Sequence, residues 1–138
     1  MNQKNLNKIE HIGIAVSSLA EAIPLYETLL NTPCYKTEMV ATEGVNTAFF
    51  QTGPNKIELL ESTEPDGVIA KFIAKKGEGI HHIAWDVDDI VAEMERLKQA
   101  GFELLNQVPK PGADNKLVCF LHPKGTKGVL VELCQERK

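Results

Sequence analysis

Ile9-Glu10-His11-Ile12-Gly13-Ile14-Ala15-Val16 and Ile80-His81-His82-Ile83-Ala84-Trp85-Asp86-Val87 are one motif written twice. Ile9, His11, Ile12 and Val16 fall on Ile80, His82, Ile83 and Val87 at a constant spacing of 71 residues. Both stretches are rich in β-branched residues and alternate with period two, which predicts strands. A repeat of this length decides architecture before any single residue does.

A helix is predicted after each strand. The first opens with Ser18-Leu19-Ala20-Glu21, a capping-box pattern, and continues through Leu25, Tyr26, Leu29 and Leu30. Pro24 inside it predicts a kink or a late start. The second begins at Asp88 or Asp89, keeps Ile90, Met94 and Leu97 at helical spacing, and stops at Gly101. Short strands follow in both halves: Val45–Gln51 and Lys56–Leu60 in the first, Lys116–Leu121 and Val129–Leu133 in the second. Ile57-Glu58-Leu59 matches Val131-Glu132-Leu133 at a spacing of 74, the small drift being absorbed by loop length. A short helix over Val68–Lys76, ended by Gly77 and Gly79, joins the halves.

Side chains alternate across a strand, so the face carrying each histidine can be read off. His11 shares its face with Gly13 and Ala15; His82 shares its face with Ala84 and Asp86. The opposite faces carry Ile12, Ile14, Val16 and Ile83, Trp85, Val87, expected to pack under the helices with Trp85 in the core. The histidine face is left small and open. On the same alternation His81 points away from His82 and is expected to pack or hydrogen-bond. Glu58 and Glu132 lie mid-strand between apolar neighbours, where an unpaired carboxylate is expensive to bury. A divalent cation removes that cost. A pseudo-two-fold arrangement of the halves would bring His11, Glu58, His82 and Glu132 together as N and O donors suited to cobalt, nickel, manganese, zinc or iron.

Composition limits the remaining choices. At 138 residues the chain is about one domain, with 43% apolar and 25% charged residues, ordinary for a globular protein. Net charge is −4 and the lysines are scattered, which argues against nucleic acid as a partner. The basic stretch Lys71-Phe72-Ile73-Ala74-Lys75-Lys76 reads as a solvated helix face or as a contact for an anionic small molecule. Three cysteines, Cys34, Cys119 and Cys134, lack paired spacing and suit a reducing compartment. The start, Met1-Asn2-Gln3-Lys4-Asn5, has no leader pattern, and no apolar run approaches the roughly 18 residues that span a bilayer. A cytoplasmic protein with no membrane partner is expected.

These residues resemble the vicinal oxygen chelate (glyoxalase) superfamily and, within it, the methylmalonyl-CoA epimerase family. The likeness runs over nearly the whole chain. Its most specific pieces are Ile9–Ala15, Lys56–Glu61, Ile69–Phe72, Lys76–Ala84 with its Gly-Glu-Gly-Ile-His-His run, and His122-Pro123-Lys124 followed by Gly128–Leu133. The resemblance implies an α+β fold of two βαβββ modules forming a cupped mixed sheet. Module 1 would span about residues 7–62, module 2 about 78–136, and the connecting helix about 66–76, within one domain of residues 1–138. It makes His11, Glu58, His82 and Glu132 the ligands of a divalent metal, cobalt first, with zinc, nickel or manganese as other candidates. It further implies a homodimer acting on methylmalonyl-CoA, interconverting the (R) and (S) forms by proton transfer at C2. Glu132 is expected to be both ligand and acid/base. Some family members carry a second glutamate at the position of Thr47, which cannot replace it; Glu43, on the adjoining segment, and a water relaying the proton are the two substitutes to test. His122 and Lys124 are candidate contacts to the acyl or CoA part. Two other functions stand beside this one: a glyoxalase-type isomerase acting on a glutathione hemithioacetal, and a metal-free binding protein on the same scaffold.

Overall fold

Ser18 starts the first helix as its sequence pattern requires: its Oγ accepts from the Glu21 N–H at 3.2 Å. The computed structural model of the chain describes residues 5–137, so Met1–Lys4 and Lys138 lie outside the described residues. Strand β1 (Lys8–Ala15) leads into helix α1 (Leu19–Leu30), then strands β2 (Lys36–Val40), β3 (Val45–Thr52) and β4 (Asn55–Ser62). Helix α2 (Val68–Lys76) crosses to β5 (Gly79–Asp86), helix α3 (Ile90–Gln99), and strands β6 (Lys110–Gly112), β7 (Lys116–Leu121) and β8 (Val131–Glu136).

The late start considered for α1 is not found. Its helix begins at Leu19 and runs through Pro24, and Thr28 Oγ1 donates to the Pro24 carbonyl at 3.1 Å. Asp89 caps α3 by accepting from the Ala92 N–H, and Gly101 follows the helix at φ 99°. β8 starts two residues later than its apolar run suggests. Lys127 and Gly128 turn the chain through positive φ, and the Gly128 N–H is held by the Pro123 carbonyl at 2.7 Å.

All eight strands form one mixed sheet in the order β2-β3-β4-β1-β5-β8-β7-β6. β1 runs parallel to β4 and β5 parallel to β8, while β1 and β5 pair antiparallel at the centre. The two halves are therefore related by a pseudo-two-fold axis through the β1–β5 seam. The chain has the α+β, cupped-sheet architecture of the glyoxalase fold.

Two apolar layers cover the outer face. Leu19 and Ala22 of α1 pack with Val16, Ala48, Phe50 and Leu59. Ile90, Met94 and Leu97 of α3 pack with Val87, Cys119, Leu121 and Leu133, each such side chain contributing about 2 kcal/mol of burial. Trp85 and Ile14 pack against these layers, as the alternation predicts, though Ile12 and Ile83 on the central pair stay half-buried. α2 seats Ile69 on Ala15, Val45 and Leu60. Cys34, Cys119 and Cys134 are free thiols. No helix among the described residues is long and apolar enough to cross a membrane.

Candidate metal centre and active site

Strict alternation fails at two places, and both build the site. Along the β1–β5 ladder Ile9 pairs with Trp85 but His11 with Ala84, leaving Glu10 as an extra residue. Further along, Gly13 pairs with His82 but Ile14 with Ile80, leaving His81 as an extra residue. The two bulges occupy equivalent positions of the repeat, one residue before each histidine. A bulge lets neighbouring side chains reach the same side. Glu10 accordingly meets His11, with its Oε1 2.6 Å from Nδ1, and His81 Nδ1 lies 2.9 Å from His82 Nδ1. The expectation that His81 points away from His82 is thus corrected. Its ring stands edge-on to Phe72 of α2 while its nitrogen engages His82.

With both Nδ1 atoms engaged, both Nε2 atoms face inward. His11 Nε2 and His82 Nε2 are 3.1 Å apart. Glu132 Oε1 lies 3.0 Å from His82 Nε2 and 3.4 Å from His11 Nε2. A cation bound at about 2.1 Å by donors at right angles needs them about 3.0 Å apart, so these three fit one ion. His11, His82 and Glu132 form a group able to hold a metal. Glu58 stands one step aside: its Oε2 is 3.1 Å from Nδ1 of His11, on the far edge of that ring. The structure therefore brings three of the four expected donors together and sets the fourth against one of them.

Small residues make the room. His11 is paired across the seam with Ala84 and His82 with Gly13. A Cβ added at Gly13 would meet His82 Cε1 at 2.2 Å, so the ring lies directly over the glycine. This is the repeat's reason for Gly13 and Ala84 at matching positions.

Charge is concentrated and buried. Glu10, His11, Glu58, His82 and Glu132 are each between 3% and 5% exposed. Burial works against a charged His11, but Glu58, Glu132 and Glu10 outweigh it and raise its pKa well above the usual imidazole value. Burial likewise works against Glu132 as an anion, yet His11 and His82 hold it below the usual carboxylate range. Glu58 is pushed up to about 8 by burial, with Glu132 and Glu10 adding to it against the pull of His11. Three buried carboxyl groups, Glu10, Glu58 and Glu132, thus gather round two imidazoles, the kind of concentration of perturbed ionisable groups found at functional sites. Glu10, His11 and Cys134 also lie within ligand distance of one another. There the Lys56 ammonium already sits 3.0 Å from Glu10 Oε2, and burial pushes the Cys134 thiol far up.

Beside the cluster a cavity of about 280 Å³ is lined by Glu43, Val45, Leu60, Ile69, His82 and Phe120. Its wall also carries His81 and Lys110, the latter 5.5 Å from the Phe120 ring centroid. Glu43 sits in the single-turn 3-10 helix Ala41–Glu43 between β2 and β3. Burial and the charge of Glu132 lift its pKa to about 7. Thr47 is fully buried on β3 and carries no ionisable group. His122 caps the turn Pro123–Thr126 by accepting from the Lys124 N–H at 3.0 Å, and Lys124 is exposed; neither lines the cavity. Sequence reading missed Glu10 and Lys110. Glu10 had a signal: strict alternation would place its carboxylate under the helices beside Ile12 and Ile14, a conflict that a bulge resolves. Lys110 has none, because only the fold of the β6 edge brings it to the cavity.

This fold and site define a class. Residues 10–120 match the family described as the Glyoxalase/Bleomycin resistance protein/Dioxygenase superfamily. The chain is 39% identical over 132 residues to the ethylmalonyl-CoA/methylmalonyl-CoA epimerase of Cereibacter sphaeroides, covering 94% of this chain and 98% of that protein. It is also 39% identical to the mitochondrial methylmalonyl-CoA epimerase of Homo sapiens, covering 95% of this chain and 75% of the human protein. A solved methylmalonyl-CoA epimerase in complex with methylmalonyl-CoA and NH4+ superposes with a TM-score of 0.90 at 33% identity, covering 96% of each chain. The chain belongs to the methylmalonyl-CoA epimerase family of that superfamily.

Proposed function

We propose that this chain is a divalent-metal-dependent epimerase that interconverts (R)- and (S)-methylmalonyl-CoA by moving the C2 proton. One observation carries the reading: Glu43, of the turn before β3, and His82 line the same cavity, and Glu132 of β8 lies 3.0 Å from His82 Nε2, so each half brings a carboxyl group to this region. Inversion needs one group to take the proton from one face and another to return a proton to the opposite face. Two carboxylates from opposite halves suit that demand. Glu43, titrating near 7, is matched to proton exchange at neutral pH, so it takes the role that Thr47 cannot.

In this reading His11, His82 and Glu132 hold the ion and Glu58 completes the set. The bound cation would stabilise the negative charge that develops on the thioester and carboxylate oxygens as C2 loses its proton. Val45, Leu60, Ile69 and Phe120 exclude water from the acyl group, which strengthens every charge interaction within. Lys110, at the cavity wall, offers a positive charge to the anionic substrate. His122 and Lys124 keep a weaker claim to the CoA part, resting on the family motif alone. A homodimer, cytoplasmic residence and cobalt as the ion belong to the same proposal and rest on family likeness. The test is deuterium wash-in at C2 of methylmalonyl-CoA in D2O. Exchange is expected with cobalt-loaded protein, is abolished by chelation and returns with added divalent metal. No exchange by metal-loaded protein refutes the proposal. Turnover of a glutathione hemithioacetal in its place would move the chain to the glyoxalase-type reading.

A further inference from the structure

Glu10 is a buried carboxylate with no place in the proton-transfer scheme, and four observations say what it does. It is the extra residue of the first bulge, so β1 leaves regular pairing at the place that brings this side chain to His11. Its Oε1 lies 2.6 Å from His11 Nδ1, the separation of a charge-assisted hydrogen bond. Its other oxygen is held by Lys56 Nζ at 3.0 Å, with Lys116 Nζ at 3.8 Å. Lys56 is in turn fixed by Asp114 Oδ2 at 2.6 Å, and Asp114 belongs to the second half of the chain. Its position is set from three sides: the Asp114 N–H donates to Glu38 Oε1 at 3.0 Å, and Lys36 Nζ lies 2.8 Å from its other oxygen.

We propose that Glu10 is a positioning residue for His11: it accepts the Nδ1 proton, keeps Nε2 aimed at the donor cluster, and frees Glu58 from that same nitrogen. Two carboxylates crowd one N–H, Glu10 at 2.6 Å and Glu58 at 3.1 Å. A single N–H serves one in-line acceptor. With Glu10 taking it, Glu58 is available to complete the metal's donor set. Without Glu10, Glu58 takes the N–H and His11 loses a ligand partner. The Lys56–Asp114 link makes this first-half histidine depend on the second half, so one donor's orientation is set by closure of the whole cup.

The inference rests on the metal-centre reading of His11, and the experiment separates the two. Cobalt(II) affinity is measured by titration calorimetry, with the visible absorption of the bound ion recorded, for wild type, Glu10→Ala, Glu10→Gln and Lys56→Met. Glu10→Ala is expected to weaken cobalt binding roughly 10–100-fold and to change the absorption bands. Glu10→Gln, which keeps an acceptor oxygen, recovers most of the loss. Lys56→Met, which leaves every donor in place, shows a smaller loss of the same kind. A merely structural Glu10 would lower the melting temperature of the metal-free variants and leave affinity and spectrum at wild-type values; that result overturns the inference while sparing the metal centre. Wild-type protein that binds no cobalt removes both. Should Glu10→Ala not fold, the Glu10→Gln and Lys56→Met affinities decide alone, and wild-type affinity in both overturns the inference.

Discussion

Replacing Gly13 by alanine adds one methyl group at the point where His82 crosses the seam. The added Cβ would lie 2.2 Å from Cε1, 2.6 Å from Nδ1 and 2.7 Å from Nε2 of His82. Ordinary carbon contacts begin near about 3.5 Å, so the ring must withdraw by roughly 1 Å. It has little freedom to do so. Its Nδ1 is engaged by His81 at 2.9 Å, its Nε2 by Glu132 at 3.0 Å, and Phe120 stands edge-on to it with centroids 5.7 Å apart. Overpacking of this kind costs about 1–3 kcal/mol of stability if the ring stays, and the donor triangle opens if it moves. A displacement of about 1 Å costs on the order of 100-fold in turnover. Gly13→Ala is therefore expected to fold, with a modestly lower melting temperature, to bind cobalt at least tenfold more weakly, and to lose about 100-fold in C2 exchange. Gly125→Ala is the control, since its added Cβ meets nothing closer than Phe102 at 3.6 Å. Wild-type cobalt affinity and exchange in Gly13→Ala would refute the claim that His82 must lie over this glycine to serve the site.

Glu132→Ala removes the oxygen shared by both histidines, and equilibrium dialysis is expected to show loss of stoichiometric cobalt along with loss of exchange; retention of both would detach Glu132 from the centre. Glu43→Gln is expected to keep cobalt and substrate binding but lose C2 exchange by about 100–10,000-fold, the worth of one acid/base group, and unchanged exchange would eliminate Glu43 as that group. The same variant carries a pH signature. A carboxyl whose folded pKa rises from 4.5 to about 7 binds its proton more tightly in the native state, so its stabilisation is present below pH 4.5 and is lost as pH rises through 7. Thermal melts of the metal-free protein should fall more steeply between pH 5 and 8 for wild type than for Glu43→Gln, and parallel curves would contradict the raised value. Leu97→Ala, in the α3 layer, is expected to cost about 2–4 kcal/mol in urea unfolding without altering cobalt affinity; a selective loss of metal binding would show that this layer reaches the site.

Much of the fold was legible because its signals are local. Ser18 and Asp89 cap the helices that their patterns announce, and α2 occupies Val68–Lys76 between its glycines. The small residues sharing each histidine's strand face, Gly13 and Ala15 with His11 and Ala84 with His82, were also legible in the repeat. What was not legible depended on strand pairing. Alternation assumes an unbroken ladder, and the ladder is broken at Glu10 and His81, so Glu10 was missed and His81 was assigned to the wrong side of the sheet. β2 and β6 are absent from the strands read from periodicity because β2 is half polar and β6 is only Lys110-Pro111-Gly112. Edge strands this short hold through their neighbours' hydrogen bonds, not through a pattern of their own.

By itself the sequence determined the duplication, the order of elements and the repeat positions of His11, Glu58, His82 and Glu132, since spacing, capping and periodicity are properties of neighbours along the chain. Only the tertiary structure decided which atoms meet: three donors converge through Nε2 and Oε1, Glu58 turns to Nδ1, Glu10 enters the cup, and Glu43 reaches the cavity while His122 and Lys124 stay outside its lining. The reason is physical. Register across the β1–β5 seam couples residues about seventy positions apart, and one bulged residue there moves a side chain from one face to the other at a cost no local pattern records.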